Sequence, residues 1–345
     1  MSSLCKLPKV TIIGDGQMGL VLAMILEAGG VPVTLWGRCA EHVSDLARER
    51  KSRRHLPGVQ IPDSIAVTSD EMEALDGAGL IVCAVPTQFI RPVFTRLAPH
   101  IPRGVGVVSA SKGIENGTLL QPTAVIADVI ADPSGDRATR SYAALCGPTI
   151  AEELTRHLPA TMVAASESHE FAMHIRTLFA VPWMRIYTLT DRRGVELAGA
   201  TKNVIAIAAG IVDGLKLGYN AKSALLSRGL AEITRLGVSM GASAETFFGI
   251  AGVGDLATTC FSPVGRNRSC GEALGQGQTL DEYLQSTRSV VEGVATTRSV
   301  VALAKAQGIE MPITAAVHAV LFEGLTPKRA IARLMEREPK PERIG

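Results

Sequence analysis

Over the first half of the chain, short β-branched apolar runs alternate with amphipathic stretches. The runs begin at Val10, Val31, Ile65, Leu80, Val105, Tyr142 and Thr161. Most are separated by ten or more residues with helical spacing, as over 18–28 and 122–130. Apolar strands that alternate with helices predict a parallel sheet covered on both faces. After Asp191 the alternation stops. Ala-, Leu- and Gly-rich stretches at helical spacing follow, over 195–212, 221–236 and 291–307. The expected architecture is therefore α/β: a doubly wound, mainly parallel Rossmann-type domain over 1–190, then an all-α domain over 191–345. The polar interval 131–140 reads as a surface loop, and the charged tail 336–345 as frayed.

Composition narrows the class. Apolar residues are 46% of the 345 and charged residues 20%, which is a globular balance and argues against disorder. The formal net charge is +2 and aromatics are 4%, so neither a basic field nor a base-stacking surface points to nucleic acid. The six cysteines, at 5, 39, 83, 146, 260 and 270, form no CxxC pair, which fits a reducing compartment. The N-terminus runs into a strand within a few residues, leaving no room for a signal peptide. No uninterrupted apolar run approaches the length of a membrane span, and Ile205 to Val212 reads as buried helix. A cytoplasmic protein without membrane insertion is expected.

Gly14-Asp-Gly-Gln-Met-Gly19 places GxGxxG directly after a strand and at the start of a helix. Gly14 permits the tight turn, Gly16 lets backbone approach a pyrophosphate, and Gly19 allows close helix–sheet packing. In that context the motif predicts a dinucleotide site, with Gln17 and Met18 beside the cofactor. The second strand leads to Gly37-Arg38, where an NAD site usually carries Asp or Glu about 20 residues past the glycines. A guanidinium suits a 2′-phosphate, so NADPH is favoured and NADH remains possible. A carboxylate aimed at the pyrophosphate would be repelled, so Asp15 is expected to point away.

Several later residues are candidates with a bland alternative beside each. Lys202 shares a helical face with Val195, Ala198, Gly199, Ala206 and Ala209, among which it is either a snorkelling lysine or a proton-transfer group. Lys112 lies in the loop after the strand that starts at Val105, at the ligand-binding end of a parallel sheet, or is a solvated lysine there. Asp255 is a helix N-cap or a substrate ligand. Arg266 and Asn267 offer a charged fork and an amide donor to a phosphate, or form a basic surface turn, as Arg268 is expected to do. Gly147-Pro-Thr149 followed by Glu152 and Glu153 reads as a helix start with Pro148 at its first position. The seven histidines form no metal motif, no serine sits in a GxSxG elbow, and Cys260 and Cys270 read as packing residues. No metal is expected.

These motifs together, GDGQMG, SASKGIE from Ser109, CGPTIAEEL from Cys146 and ATKNVIAIAAGIVDG from Ala200, resemble the bacterial-type NAD(P)-dependent glycerol-3-phosphate dehydrogenases. SRGLAEITRLG from Ser227, GIAGVGDLATTC from Gly249, GRNR from Gly265, VVEG from Val290 and EMPIT from Glu310 extend the likeness from Val10 to about Glu336. The resemblance implies reversible reduction of dihydroxyacetone phosphate to sn-glycerol 3-phosphate, supplying glycerophospholipid synthesis, in a cleft between the two domains. It implies Lys202 as proton acceptor and donor, with Lys112 and Asp255 beside it. Lys112, Gly147, Thr149, Lys202, Asp255, Gly265, Arg266 and Asn267 would meet substrate. Lys112, Ala151, Arg266, Val290 and Glu292 would meet cofactor. A homodimer is the family habit. Two departures stand out: Gln17-Met18 replaces a serine–aromatic pair, and Gly265 replaces a serine. The rival readings are a ketopantoate or 3-hydroxyacid reductase, and a silent NADP-binding sensor that would not need Lys202.

Overall fold

The computed structural model describes residues 7–131, 140–287, 289–338 and 341. Cys5, most of the polar loop at 131–140 and most of the end of the charged tail lie outside the described residues. The strands are β1 (Lys9–Ile13), β2 (Val33–Trp36), β3 (Lys51–Ser52), β4 (Leu56–Gln60), β5 (Ala66–Thr68), β6 (Ala78–Cys83), β7 (Gly106–Ser109), β8 (Tyr142–Cys146), β9 (Ala160–Ala165) and β10 (Met184–Leu189). Eight of them form one sheet in the order β10-β9-β8-β7-β6-β1-β2-β5, while β3 and β4 make a separate hairpin. The chain winds outward from β1 through β2 to β5, then returns to β6 on the other side of β1. That reversal opens a crevice at the carboxyl ends of β1 and β6, where doubly wound sheets bind ligands.

Strand alternation divides the core in two. Val10, Ile12, Leu35, Leu80 and Val82 face one buried layer, and Ile13, Trp36, Ile81 and Cys83 the opposite one. Pairing is parallel throughout this sheet except between β8 and β9, so β9 and β10 run against the others. Neither β10 nor the hairpin is among the runs read from sequence. Strand β10 is an edge strand in which Arg185, Tyr187 and Leu189 are exposed, so it lacks the continuous apolar run of a covered strand.

From Arg192 onward the regular elements among the described residues are helices. The helix Arg192–Gly214 is their axis, with helices Gly218–Ser239, Asp255–Phe261, Arg266–Gly275 and Glu292–Gln307 packed around it. Its length and composition would suit a membrane crossing, but 94% of its most apolar window is buried inside the protein. It is a core helix, longer than the run 205–212 suggested. It approaches the helix Arg266–Gly275 backbone to backbone. A Cβ at Gly210 would lie 1.9 Å from the carbonyl oxygen of Arg268, and one at Gly271 equally close to that of Ile207.

Two acids tie the start of this axis to its neighbours. Asp191 caps the helix through the amide of Gly194 at 2.8 Å, and its second oxygen accepts from Ser243 N and Thr246 Oγ1. One turn on, Glu196 accepts from the Thr123 amide (2.8 Å) and hydroxyl (2.6 Å) at the start of the helix Pro122–Val129. These contacts set where Lys202, two turns further along, meets the ends of the strands.

Candidate active site

The loop after β1 has the form a pyrophosphate requires. Gly14 sits at φ 118°, a left-handed region that favours glycine, and a Cβ there would lie 2.8 Å from the Ala84 carbonyl oxygen. A Cβ on Gly19 would fall 1.8 Å from Gly14 O, so helix and loop touch through backbone. At Gly16 a Cβ would meet nothing within 4 Å, which leaves its backbone facing open space at the start of the helix Gln17–Ala28. No acidic residue occupies that helix's first turn, so its free amides suit an anion. Gln17 donates to Glu152 Oε1 at 2.7 Å, and Met18 packs on the sheet core. Arg38 is exposed just beyond β2. Asp15 turns its carboxylate sideways, toward Gly37 and His42.

Further across the crevice, three charged side chains meet below the surface. Asp255 Oδ1 accepts from Lys202 Nζ, and its Oδ2 accepts from Lys112 Nζ at 2.7 Å. Lys202 also donates to Thr259 Oγ1 (2.6 Å), and Lys112 to the Gly147 carbonyl (3.1 Å). Asp255 is the first residue of its helix, not its cap, and its carboxylate faces the lysines. Lys202 stands near the middle of its helix, with a side chain only 6% exposed against 19% for Lys112.

The two ammonium groups are shifted in opposite directions. Burial lowers the Lys202 pKa to about 8; Asp255 resists this and Lys112 adds to it. Burial also works against the charge of Lys112, but Asp255 outweighs it and holds the group above its ordinary value. Asp255 lies below the usual carboxylate range: burial opposes its charge, and the two lysines more than offset it. One carboxylate between two ammonium groups leaves one net positive charge in a low-dielectric pocket, whose less exposed lysine titrates near neutrality.

The surrounding frame is hydrogen-bonded. Asn267 donates to Asn203 Oδ1 (2.9 Å) and accepts from Gly293 N (2.9 Å), while Asn203 donates to the Lys112 carbonyl (3.2 Å). Arg266 donates to the Val290 carbonyl at 3.3 Å and is exposed. Glu292 accepts from Thr87 N at 3.1 Å; its Oε2 is buried without a hydrogen-bond partner, and burial pushes its pKa up to about 7. Gly147 is pressed against β9, where a Cβ would lie 2.6 Å from Thr161 O, and Thr149 bonds back to the Gly147 carbonyl. The adjoining helix starts at Ala151, so Pro148 precedes it and does not hold its first position. Gly265 is the N-cap of the helix Arg266–Gly275. Arg268 is not a surface-turn residue: it is only 12% exposed and bonds Asp213 at 2.7 Å, because helix packing turns it inward. Cys260 and Cys270 are buried, and burial pushes both thiols up to about 12.

Residues 9–172 match the model of the NAD-dependent glycerol-3-phosphate dehydrogenase N-terminus, and residues 191–332 match that of its C-terminus. The chain belongs to that family. A glycerol-3-phosphate dehydrogenase [NAD(P)+] of Salinibacter ruber is 44% identical over 333 residues, covering 96% of each chain. One from Thermus thermophilus is 44% identical over 336 residues, 97% of this chain and all of that one. The crystal structure of glycerol-3-phosphate dehydrogenase from Coxiella burnetii superposes with a TM-score of 0.91 at 36% identity, covering 96% of this chain and 99% of that one.

As a member of that family, the chain is an oxidoreductase that interconverts dihydroxyacetone phosphate and sn-glycerol 3-phosphate with a nicotinamide dinucleotide. Its structure brings Lys112, Lys202, Asp255 and Gly147 into one hydrogen-bonded group, and joins Asn267 to it through Asn203. Arg38, Gln17 and Met18 stand apart, on the glycine-loop side. Sequence reasoning did not single out Thr259, Asn203 as a bridge, or Cys146, whose Sγ lies 3.5 Å from Asp255 Oδ2. Thr259 had a usable signal: it lies four residues after Asp255, one helical turn on and on the same face.

Proposed function

We propose that this dehydrogenase prefers NADPH to NADH and that Lys202 is its proton-transfer residue. The observation that carries the second claim is the buried Lys202–Asp255–Lys112 group, with Lys202 lowered to about 8. A reduced nicotinamide, when bound, supplies the hydride. Lys202, in its ammonium form, gives a proton to the oxygen of the substrate carbonyl as negative charge grows there; in the reverse direction, neutral Lys202 takes the hydroxyl proton. Asp255 orients both ammonium groups, and Lys112 keeps positive charge beside the reacting oxygen. Thr259 fixes the Lys202 rotamer.

Arg266 is the phosphate clamp, helped by the second amide hydrogen of Asn267 and by backbone at Gly265. Gly147 and Thr149 line the opposite wall. On the cofactor side, Gly14, Gly16 and Gly19 admit the pyrophosphate with Gln17 and Met18 at its edge, and Ala151 and Val290 border it. The orphaned Glu292 Oε2 is a ready acceptor for a cofactor hydrogen-bond donor. Arg38 favours the 2′-phosphate. We divide the chain into domains at 190/191, and infer a cytoplasmic homodimer with no metal, no membrane insertion and no nucleic-acid partner.

The test is turnover by the wild-type enzyme. Dihydroxyacetone phosphate should be reduced at a higher kcat/KM with NADPH than with NADH, and a panel of keto acids should not be turned over. Equal efficiencies would remove the NADPH preference. Reduction of a keto acid instead would move the substrate site to a carboxylate.

A further inference from the structure

Where NAD-binding folds place an acid at the end of the second strand, this chain has Gly37 and then Arg38. The space is nonetheless filled by a carboxylate. A Cβ on residue 37 would lie 2.5 Å from Asp15 Oδ2 and 2.6 Å from Asp15 Cγ. The topology explains this approach: β1 and β2 are parallel neighbours with Ile13 opposite Trp36, so residues just past their ends stand side by side. Gly14 N bonds the Trp36 carbonyl at 2.9 Å and fixes the loop against that end.

His42 lies beside this carboxylate, with His55 packed behind it. His42 Nε2 stands 3.7 Å from Asp15 Oδ2, too far for a hydrogen bond, and that nitrogen is buried without a hydrogen-bond partner. His55 packs edge-on to His42 at 5.9 Å. Burial lowers the His55 pKa, with Asp15 acting against it and Arg54, His42 and Arg266 adding to it.

We propose that Asp15 supplies the ribose-binding carboxylate missing from the end of β2. It accepts a hydrogen bond from the adenosine ribose hydroxyl of NADH and opposes the 2′-phosphate of NADPH, while Arg38 acts in the opposite sense. The two residues together set cofactor preference. The proposal rests on the dinucleotide lying along the glycine loop.

The experiment measures Kd for NADH and NADPH by nicotinamide fluorescence, without substrate, in wild type, Asp15→Ala and Asp15→Asn. Asp15→Ala should weaken NADH about tenfold and tighten NADPH several-fold, roughly the loss of one charge-assisted hydrogen bond and one like-charge contact. Asp15→Asn keeps the side-chain shape, so it should tighten NADPH while changing NADH less. It also serves if Asp15→Ala fails to fold. Equal shifts for both cofactors, or an unchanged NADH-to-NADPH ratio, would reduce Asp15 to a loop-structuring residue and overturn the proposal. A wild-type protein that binds both cofactors yet does not reduce dihydroxyacetone phosphate would count against the substrate reading and leave the ratio test for Asp15 standing.

Discussion

The two walls of the crevice are built from different materials. On the sheet side, the proposed anion-binding surface is backbone: a glycine loop, the amide end of a helix, and space that a Cβ would fill. Facing it is a group of side chains held by one another, Lys202 and Asp255 from helices and Lys112 from the loop after β7. Lys202, Asp255 and Lys112 come from three separate parts of the chain, and each shifts the ionisation of the others. A backbone surface tolerates change until a side chain intrudes. A coupled charge group responds to loss of any member.

The largest effect expected from this contrast is at Lys202. Lys202→Met should lower kcat about 10³-fold while NADPH Kd changes little, as loss of a proton-transfer group does. Comparable loss of cofactor binding would make Lys202 a structural residue. Next, Asp255→Asn should cost about 10²-fold in kcat/KM, because it leaves two buried ammonium groups without their shared partner. Stopped-flow binding alongside steady-state rates would show whether the loss lies in chemistry.

On the packing seam, Gly210→Ala should destabilise the fold by about 3 kcal/mol, since its Cβ would meet the Arg268 carbonyl and neither helix can yield. Denaturant unfolding would measure it, and a change below about 1 kcal/mol would show that the seam relaxes. A smaller effect is expected at Glu232. It accepts from Ile313 N at 2.7 Å and Thr314 N at 3.2 Å, capping the helix Pro312–Phe322, and burial raises its pKa to about 7. A raised carboxylate contributes stability that is complete below its unfolded value, about 4.5, and is lost as pH rises through about 7. Glu232→Gln should therefore flatten the fall in melting temperature over that interval. The same fall in both proteins would assign it to other groups.

The sheet side was the more legible wall because its rules are local. GxGxxG after Val10–Ile13 and the period-two layering of Ile12 and Ile13 can be read within a dozen residues. The edge strand Met184–Leu189 escaped because exposure on one face breaks up its apolar run. On the helical side, Lys202 and Asp255 were identifiable as candidates, but their junction spans 53 positions and depends on how helices pack. Arg268 was misread for the same reason: its partner Asp213 lies on a neighbouring helix. The direction of Asp15 depended on strand pairing, which no local pattern reveals.

The central claim is that Lys202 moves the proton from a coupled, buried site. Its most direct test is the pH dependence of kcat/KM in both directions, because that parameter reports the free enzyme. Oxidation of glycerol 3-phosphate should rise through about pH 8 as Lys202 loses its proton, and reduction of dihydroxyacetone phosphate should fall through the same value. In Asp255→Asn the break should move to lower pH, since the charge that resists the fall in Lys202 is gone. A profile without a break near 8, or a break that Asp255→Asn leaves in place, would contradict the account.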